Sequence, residues 1–185
     1  RKAIHSILRC CMNIRTALAD RRLPRIELRM LLGQVLQREY AWLIAHDLDA
    51  LDDSAAAQFE SLVARRVAGE PIAYLLGERE FYGRNFRCTP AALIPRPETE
   101  LLVDVALTRI APNEPLRILD IGTGSGCIAL ALKKLFPAAQ VTGIDVSDQA
   151  LLRAMDNGRR NALEVTWLHG DVLHADLVLP SVDLI

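Results

Sequence analysis

The sequence predicts an α/β protein with a small N-terminal helical bundle, then a β-hairpin, then a sheet of parallel strands. Three observations support this prediction. Apolar residues recur at helical spacing through the first 68 residues, aromatic residues flank the glycine at position 83, and short apolar segments alternate with helical ones from Leu116 onward. Hydrophobic residues make up 51% of the 185, enough for a packed core, which excludes a disordered chain.

The helical region is predicted to form an N-terminal domain over residues 1–69. The apolar residues of its first two helices are Ile4, Ile7, Leu8, Cys11, Ile14 and Leu18, and then Leu28, Leu31, Leu32, Val35 and Leu36. Pro24 suits the first turn of the second helix. A third long helix is expected to begin after Asp52 or Asp53 and to end before Gly69, with a shorter segment at 40–46 preceding it.

Charge is distributed unevenly along the chain. Residues 1–40 carry nine Lys and Arg against three Asp and Glu, a net of +6, and the remainder carries 13 against 20, a net of −7, so that the sum is −1. The small total argues against general nucleic-acid binding. The asymmetry favours two parts with different partners, although two ordinary solvated helix faces explain it equally well.

A linker is predicted over residues 70–93, with a β-hairpin turn at 83–85 between aromatic residues. A third region, 94–185, then opens with the string at 94–100, in which two prolines flank Arg96 and precede Glu98. Prolines hold the backbone extended and so fix the position of the arginine. From the string alone, a rigid linker with a surface arginine and a wall of a binding site are both compatible with this pattern.

The third region is predicted to be a Rossmann-like parallel sheet with right-handed crossovers, because strands alternate with helices there. Strands are expected at Arg117–Ile121, 140–144, 165–169 and 181–185, with helices at 126–136 and Asp148–Asn161 between them and an earlier helix that runs from Glu98 or Thr99 to Ile110.

A glycine-rich loop between the first of these strands and its helix is the main candidate site. Its residues are Gly122, Thr123, Gly124, Ser125 and Gly126. Glycines let the backbone turn sharply and approach a ligand closely, and the helix start offers unpaired N–H groups. Asp145 ends the next strand, 19 residues after Gly126, where an acid can accept hydrogen bonds from both hydroxyls of a ribose. Together these features predict a nucleoside-containing cofactor.

The glycine spacing indicates which nucleoside cofactor binds. The loop reads G-x-G-x-G, with Cys127 where the dinucleotide fingerprint has Gly or Ala, and Asp120 precedes it. This variant suits a cofactor without a pyrophosphate, which favours S-adenosylmethionine, with Asp120 near its ammonium group. After the third strand, Asp171 is expected to accept from the adenine amine or to cap a turn, and Val172 is expected to cover the ring.

Metal, membrane and secreted functions are disfavoured. Four cysteines show no C-x-x-C pair and no zinc spacing, and His169 and His174 have no evident third ligand. The longest strongly apolar run, 127–132, is far shorter than the roughly 20 residues that span a bilayer. We therefore expect a cytoplasmic protein with reduced thiols, no membrane partner and no bound metal.

Several motifs together resemble the HemK/PrmC family of release factor glutamine methyltransferases. They lie at residues 65–66, 70–77, 81–83, 93–100 and 119–126. The resemblance extends over the whole chain, and the string I-P-R-P-E-T-E beside D-I-G-T-G-S-G is its most specific part. The N-terminal helices match in kind rather than by motif.

The resemblance implies methyl transfer from S-adenosylmethionine to the side-chain amide nitrogen of a glutamine, in the Gly-Gly-Gln loop of class 1 peptide-chain release factors. It makes the glycine-rich loop, Asp145, Asp171 and Val172 cofactor contacts, and it makes Arg96 and Glu98 part of the wall around the substrate glutamine. Many members have an aromatic residue where Val172 stands, so stacking on adenine would be weaker here.

The resemblance also implies a catalytic Asn-Pro-Pro-Tyr motif just after the fourth strand, beyond Ile185. This polypeptide is therefore expected to contain no catalytic residue of that motif and to be an incomplete enzyme, inactive alone. Two other functions stay open: a nucleic-acid amino-methyltransferase, which the basic N-terminal segment could favour, and a non-catalytic module that binds a release factor or the ribosome. A nicotinamide-dependent oxidoreductase is disfavoured by the glycine spacing.

Overall fold

The computed structural model describes residues 12–111, 113–174, 179 and 181–185. The chain divides into two compact units that meet between Leu76 and Gly77. The sequence instead places boundaries at 69 and 93, so the predicted linker is shared between the units. The reason is packing, because Leu75 joins the buried core of the first unit whereas Phe81 and Phe86 join that of the second.

The described part of the first unit is helical. Its elements are α1 (Ile14–Leu18), α2 (Arg25–Leu36), α3 (Tyr40–Ala45), α4 (Asp53–Val67) and α5 (Ile72–Leu76), of which α5 was not expected. Asp52 caps α4, its side chain accepting a hydrogen bond from the Ala55 N–H at 2.7 Å. Leu28, Leu31 and Leu32 of the predicted apolar face of α2 are fully buried, as are Phe59 and Val63 of α4. The earlier part of the predicted first helix, residues 4–11, lies outside the described residues.

The second unit begins with the predicted β-hairpin, but its turn is formed by Tyr82 and Gly83 rather than by residues 83–85, because Arg84 and Asn85 already pair with the first strand. Strands β1 (Glu78–Phe81) and β2 (Arg84–Arg87) are antiparallel, and Phe81 pairs with Arg84 across the turn. Both turn residues, Tyr82 and Gly83, have positive φ angles of 50° and 71°, as a type I′ turn requires. The Tyr82 N–H donates to the Glu100 carboxylate at 2.9 Å, which holds the tyrosine in a conformation that residues other than glycine seldom adopt.

The rest of the second unit alternates strands and helices. A 3-10 turn (Pro97–Thr99) leads into α6 (Glu100–Arg109), and then follow β3 (Arg117–Ile121), α7 (Cys127–Leu135), β4 (Gln140–Asp145), α8 (Asp148–Asn161) and β5 (Thr166–His169). The three strands β3, β4 and β5 are parallel and lie in that order. The fold confirms the predicted α/β class.

The predicted fourth strand is reduced to a single parallel bridge between Leu184 and Ile118. Because Ile118 also pairs with Val141 of β4, Leu184 lies on the opposite side of β3. The strand order therefore reverses at β3. In open sheets of this kind, ligands bind outside the carboxyl ends of the strands at such a reversal. The loop that follows β3 therefore lies at the expected position of a ligand site.

Helix α7 supplies much of the core of this unit. Ala129, Leu130 and Phe136 are fully buried and pack with Phe81 and Phe86 of the hairpin. The start of α7 is thereby held against the sheet. Within the described ranges, no helix has the length and apolar character needed to cross a bilayer.

Candidate cofactor site

The glycine-rich loop connects β3 to α7 and is fixed to the neighbouring strand. Its three glycines, Gly122, Gly124 and Gly126, have φ angles of +70°, +56° and +78°, which glycine adopts at least cost. The N–H groups of Gly122 and Thr123 both donate to the Ile144 carbonyl of β4 at 2.9 Å. The loop is thus held in one shape by the strand beside it.

The loop has an open side and a packed side. A side-chain carbon added at Gly122 would meet no atom within 4 Å, and one added at Gly124 would meet only the Gly122 carbonyl, at 3.8 Å. At Gly126 the same carbon would lie 2.8 Å from the Trp167 ring and 3.0 Å from Ala154. A ligand can therefore approach the bare backbone of the first two glycines, while the third is buried.

Asp145 is brought directly to this loop. One carboxylate oxygen accepts the Gly124 N–H at 2.8 Å, and the other accepts the Ser147 N–H at 2.9 Å. Each carboxylate oxygen has two lone pairs, so both retain capacity for a ligand hydroxyl. The contact with ribose that the sequence predicts is compatible with this geometry and stays a prediction.

Asp120, near the end of β3, also contacts this loop. One of its carboxylate oxygens accepts the Thr123 hydroxyl at 2.7 Å and the Ala129 N–H at 3.3 Å. Burial raises the pKa of Asp120 above its usual range, and the negative charge of Asp145 raises it further, while the two hydrogen bonds oppose the shift. An ionised Asp120 is therefore costly to the folded protein unless a cation is near.

This cost predicts the effect of replacing Asp120 with asparagine. One oxygen accepts both hydrogen bonds, so the amide oxygen of Asp120→Asn can keep them while the buried charge is removed. When the pKa of a group is higher in the folded than in the unfolded protein, the group contributes stability at low pH, and this contribution is lost as the pH rises through the folded-state pKa. We therefore expect the variant to unfold at a higher temperature than the natural protein at pH 8, with the difference shrinking toward pH 4.

The control for this measurement is Asp183, whose pKa is lowered because its carboxylate accepts from the Arg117 side chain and N–H. The contribution of Asp183 to stability has the opposite pH dependence. Asp183→Asn should therefore lower the unfolding temperature at pH 8, and by a smaller amount on acidification. The unfolding temperature of Asp120→Asn minus that of the natural protein should be larger at pH 8 than at pH 4. A smaller difference at pH 8 would contradict the assignment of a costly buried charge.

Asp171 and Val172 follow β5 and lie in the turn next to Asp145. The Gly170 N–H donates to the Asp145 backbone carbonyl at 3.1 Å, which joins the two turns. The Asp171 carboxylate accepts the Leu173 N–H at 2.9 Å, so it caps its own turn, as the alternative interpretation expected. Val172 is 37% exposed. Contacts of Asp171 and Val172 with adenine stay predictions.

Arg96 and Glu98 are exposed and lie at the 3-10 turn before α6. Among the described residues, neither side chain forms an ion pair or hydrogen bond with the glycine-rich loop. The Arg96 carbonyl accepts the Thr99 N–H at 3.0 Å, which orders the turn itself. Their predicted place in a substrate wall stays a prediction.

Three residues that support the loop were missed by sequence reasoning. Asn157 of α8 is fully buried and donates to the Ser125 carbonyl at 3.0 Å. Gly143 of β4 and Trp167 of β5 pack together beneath the loop. Two features of the sequence could have indicated these residues. One is an asparagine on the inner face of an amphipathic helix, and the other is a glycine within a buried strand, which often marks the close approach of another group to the backbone.

The electrostatics of the site favour a cation. The carboxylates of Asp120 and Asp145 both accept hydrogen bonds from the glycine-rich loop, and Asp171 lies in the adjoining turn. Such a set repels a pyrophosphate and attracts a positively charged group. In the part of the chain that the structure describes, no group of three or more potential metal ligands occurs.

Two family models match the chain. Residues 12–77 match the PrmC N-terminal domain, and residues 118–185 match a methyltransferase domain. A release factor glutamine methyltransferase from Bordetella pertussis is 48% identical over 170 residues, covering 92% of this chain and 62% of the relative. One from Koribacter versatilis is 42% identical, covering 85% of this chain and 56% of the relative. The chain thus spans somewhat more than half the length of these relatives.

Among solved structures, a ribosomal protein L11 methylase from Lactobacillus delbrueckii subsp. bulgaricus is 32% identical over 45% of this chain and 42% of its own, with a TM-score of 0.39, too low to support an argument. One family model matches most of the first unit and the other matches residues 118–185 of the second, and the curated relatives match most of the chain. Residues 12–77 are therefore a PrmC N-terminal domain and residues 118–185 a methyltransferase domain, in a chain that is similar over most of its length to release factor glutamine methyltransferases.

Proposed function

We propose that this chain binds S-adenosylmethionine and forms part of an enzyme that methylates the side-chain amide nitrogen (N5) of the glutamine in the Gly-Gly-Gln loop of class 1 release factors. The observation that carries the proposal is a bare glycine backbone in a loop to which two carboxylates are hydrogen-bonded, in a chain whose relatives are named release factor glutamine methyltransferases. We place the reaction in the cytoplasm, without a membrane or nucleic-acid partner.

The residues of the loop fit this cofactor. Gly122 and Gly124 leave room for its amino-acid part against the backbone, with Asp120 near the ammonium group. Asp145 receives the ribose hydroxyls on lone pairs that its two backbone hydrogen bonds leave free. Asp171 accepts from the adenine amine and Val172 covers the ring. The two carboxylates nearest the loop also stabilise the positive charges that the cofactor carries.

When bound, S-adenosylmethionine supplies a methyl group on a positively charged sulfur that leaves as a neutral thioether. The amide nitrogen of glutamine is a poor nucleophile because its lone pair is delocalised, and it loses one proton as the N–methyl bond forms. Rate enhancement must therefore come mainly from holding the amide in line with the methyl group. Arg96 and Glu98 are our candidates for contacts to the substrate segment, since both are exposed and lie on an ordered turn.

The test is mass spectrometry of a release-factor Gly-Gly-Gln peptide after incubation of the release factor with S-adenosylmethionine and the natural protein that contains these 185 residues. We expect the glutamine to gain one methyl group, and far less of it to be methylated with the Asp145→Ala variant at a subsaturating cofactor concentration. An unmodified peptide alongside methylated DNA would replace the proposal with a nucleic-acid amino-methyltransferase. Release-factor binding without any methylation would replace it with a recognition module.

A further inference from the structure

Asn157 forms hydrogen bonds to the hairpin as well as to the glycine-rich loop. Its Oδ1 accepts the Arg87 N–H at 2.8 Å, and its Nδ2 donates to the Arg87 carbonyl at 3.3 Å and to the Ser125 carbonyl at 3.0 Å. Both amide hydrogens are used. Only one orientation of the amide works, because turning it over would place Oδ1 against two carbonyls. One fully buried side chain thus joins strand β2 to the glycine-rich loop.

The position of Arg87 in the hairpin explains this arrangement. Arg87 lies opposite Glu78, and Cys88 donates its N–H to the Gly77 carbonyl beside it. In an antiparallel pair, residues alternate between those that bond to the partner strand and those whose N–H and C=O point away. Those two outward groups of Arg87 are the ones that Asn157 binds, in the manner of a neighbouring strand.

Both ends of this connection lead to predicted binding elements. Ser125 lies in the loop directly after Gly124, whose N–H is held by Asp145. Arg87 ends β2, and fewer than ten residues later the chain reaches Arg96. Asn157 therefore stands between the proposed cofactor site and the segment that carries the proposed substrate contacts.

We propose that Asn157 is a positioning residue that couples the glycine-rich loop to β2, so that an adenosyl cofactor bound at the loop stabilises the hairpin edge that leads to Arg96 and Glu98. The inference rests on the proposed cofactor binding. A ligand that fixes Ser125 favours the conformation in which Asn157 holds Arg87, and an ordered hairpin in turn favours ligand binding.

The test is amide hydrogen exchange by NMR on the 185-residue chain, with and without saturating S-adenosylhomocysteine, the demethylated product. We expect the ligand to slow exchange at residues 122–126 and also at the Arg87 N–H, the latter by at least about fivefold, which is the lower range of coupling between sites. In Asn157→Ala, saturating ligand should still protect the loop but leave Arg87 unprotected, and ligand affinity should fall by about the same factor.

Asn161 provides the matched control. It also joins α8 to the hairpin, accepting from the Arg84 side chain at 3.1 Å and donating to the Asn85 carbonyl at 3.5 Å. Its Nδ2 also donates to the Asn157 backbone carbonyl at 3.0 Å, within the helix, but among the described residues its side chain forms no hydrogen bond with the loop. In Asn161→Ala, ligand protection of Arg87 should persist. Loss of that protection in both variants would assign the effect to general loosening of the hairpin and overturn a specific role for Asn157.

A second variant covers the case in which Asn157→Ala does not fold. Asn157→Asp has nearly the same shape and keeps the acceptor for the Arg87 N–H, but as a carboxylate it cannot donate to either carbonyl. It should lose the coupling at pH 8 and regain part of it on acidification, when the protonated acid donates once.

Hydrogen exchange of the natural sequence, with and without ligand, also tests the coupling. Protection of residues 122–126 without any change at Arg87 would overturn the coupling and leave cofactor binding intact. Absence of protection and of calorimetric heat would overturn the proposed cofactor site itself, and the coupling with it.

Discussion

Asp145→Ala is expected to weaken S-adenosylmethionine binding by about 100-fold or more. The substitution removes the proposed acceptor for two ribose hydroxyls. Hydrogen bonds to a charged group contribute about 1.5–3 kcal/mol each, and about 1.4 kcal/mol corresponds to a tenfold change in affinity. The substitution also leaves the N–H groups of Gly124 and Ser147 without their acceptor. Isothermal titration calorimetry on the 185-residue chain measures the change directly.

Asp148→Ala is the control for this experiment. Asp148 lies three residues further along, and its side chain is 81% exposed. Its carboxylate lies 3.7 Å from the His169 imidazole Nε2. It carries the same charge without touching the loop, so its removal should change affinity less than about threefold, because exposed charges are screened by water and salt. Equal affinities for natural protein and Asp145→Ala would remove the basis for the cofactor assignment.

Gly143→Ala is expected to destabilise the second unit by about 1–3 kcal/mol, the usual cost of an overpacked core. The added carbon would lie 2.6 Å from the Trp167 ring and 2.8 Å from the Thr123 hydroxyl oxygen. The tryptophan and the loop must both move to relieve this contact. Chemical denaturation should therefore show a lower midpoint, and cofactor affinity should fall because Thr123 belongs to the loop.

Gly158→Ala separates this steric effect from a general intolerance of alanine. Gly158 is also buried, but its added carbon would meet the Leu163 carbonyl at 3.3 Å and nothing closer. Alanine is preferred over glycine inside a helix by about 1 kcal/mol, which offsets the tighter contact. We expect a change in stability of less than about 1 kcal/mol. If Gly143→Ala were as mild as Gly158→Ala, Trp167 would not be fixed beneath the loop.

Periodicity and turn chemistry in the sequence predicted most elements of the second unit. The hairpin around Gly83, the strand–loop–helix at Arg117–Leu135 and the approach of Asp145 to the loop follow from local patterns. Glycine at positive φ and an acid at a strand end are signals carried by single residues, so they can be read without knowing what lies beside them.

What the sequence did not predict depends on contacts between distant residues. Helix α5 is only five residues long and is ordered by packing, since Leu75 joins the core of the first unit. Asn157 and Arg87 are 70 residues apart. A hydrogen bond between one side chain and a distant backbone group produces no periodic pattern in the sequence. For Asp171 the sequence offers a turn cap and an adenine contact; the structure shows the cap, and the adenine contact stays a prediction.

The close packing of Gly126 and Gly143 on Trp167 has a consequence for how this protein can diverge. A side-chain carbon at either glycine would come within 2.8 Å of the indole ring. These three positions therefore form one steric unit, in which a larger residue at 126 or 143 is tolerated only with a smaller one at 167. Among homologues, we expect substitutions at these positions to co-vary, with tryptophan at 167 present only where both glycines are retained.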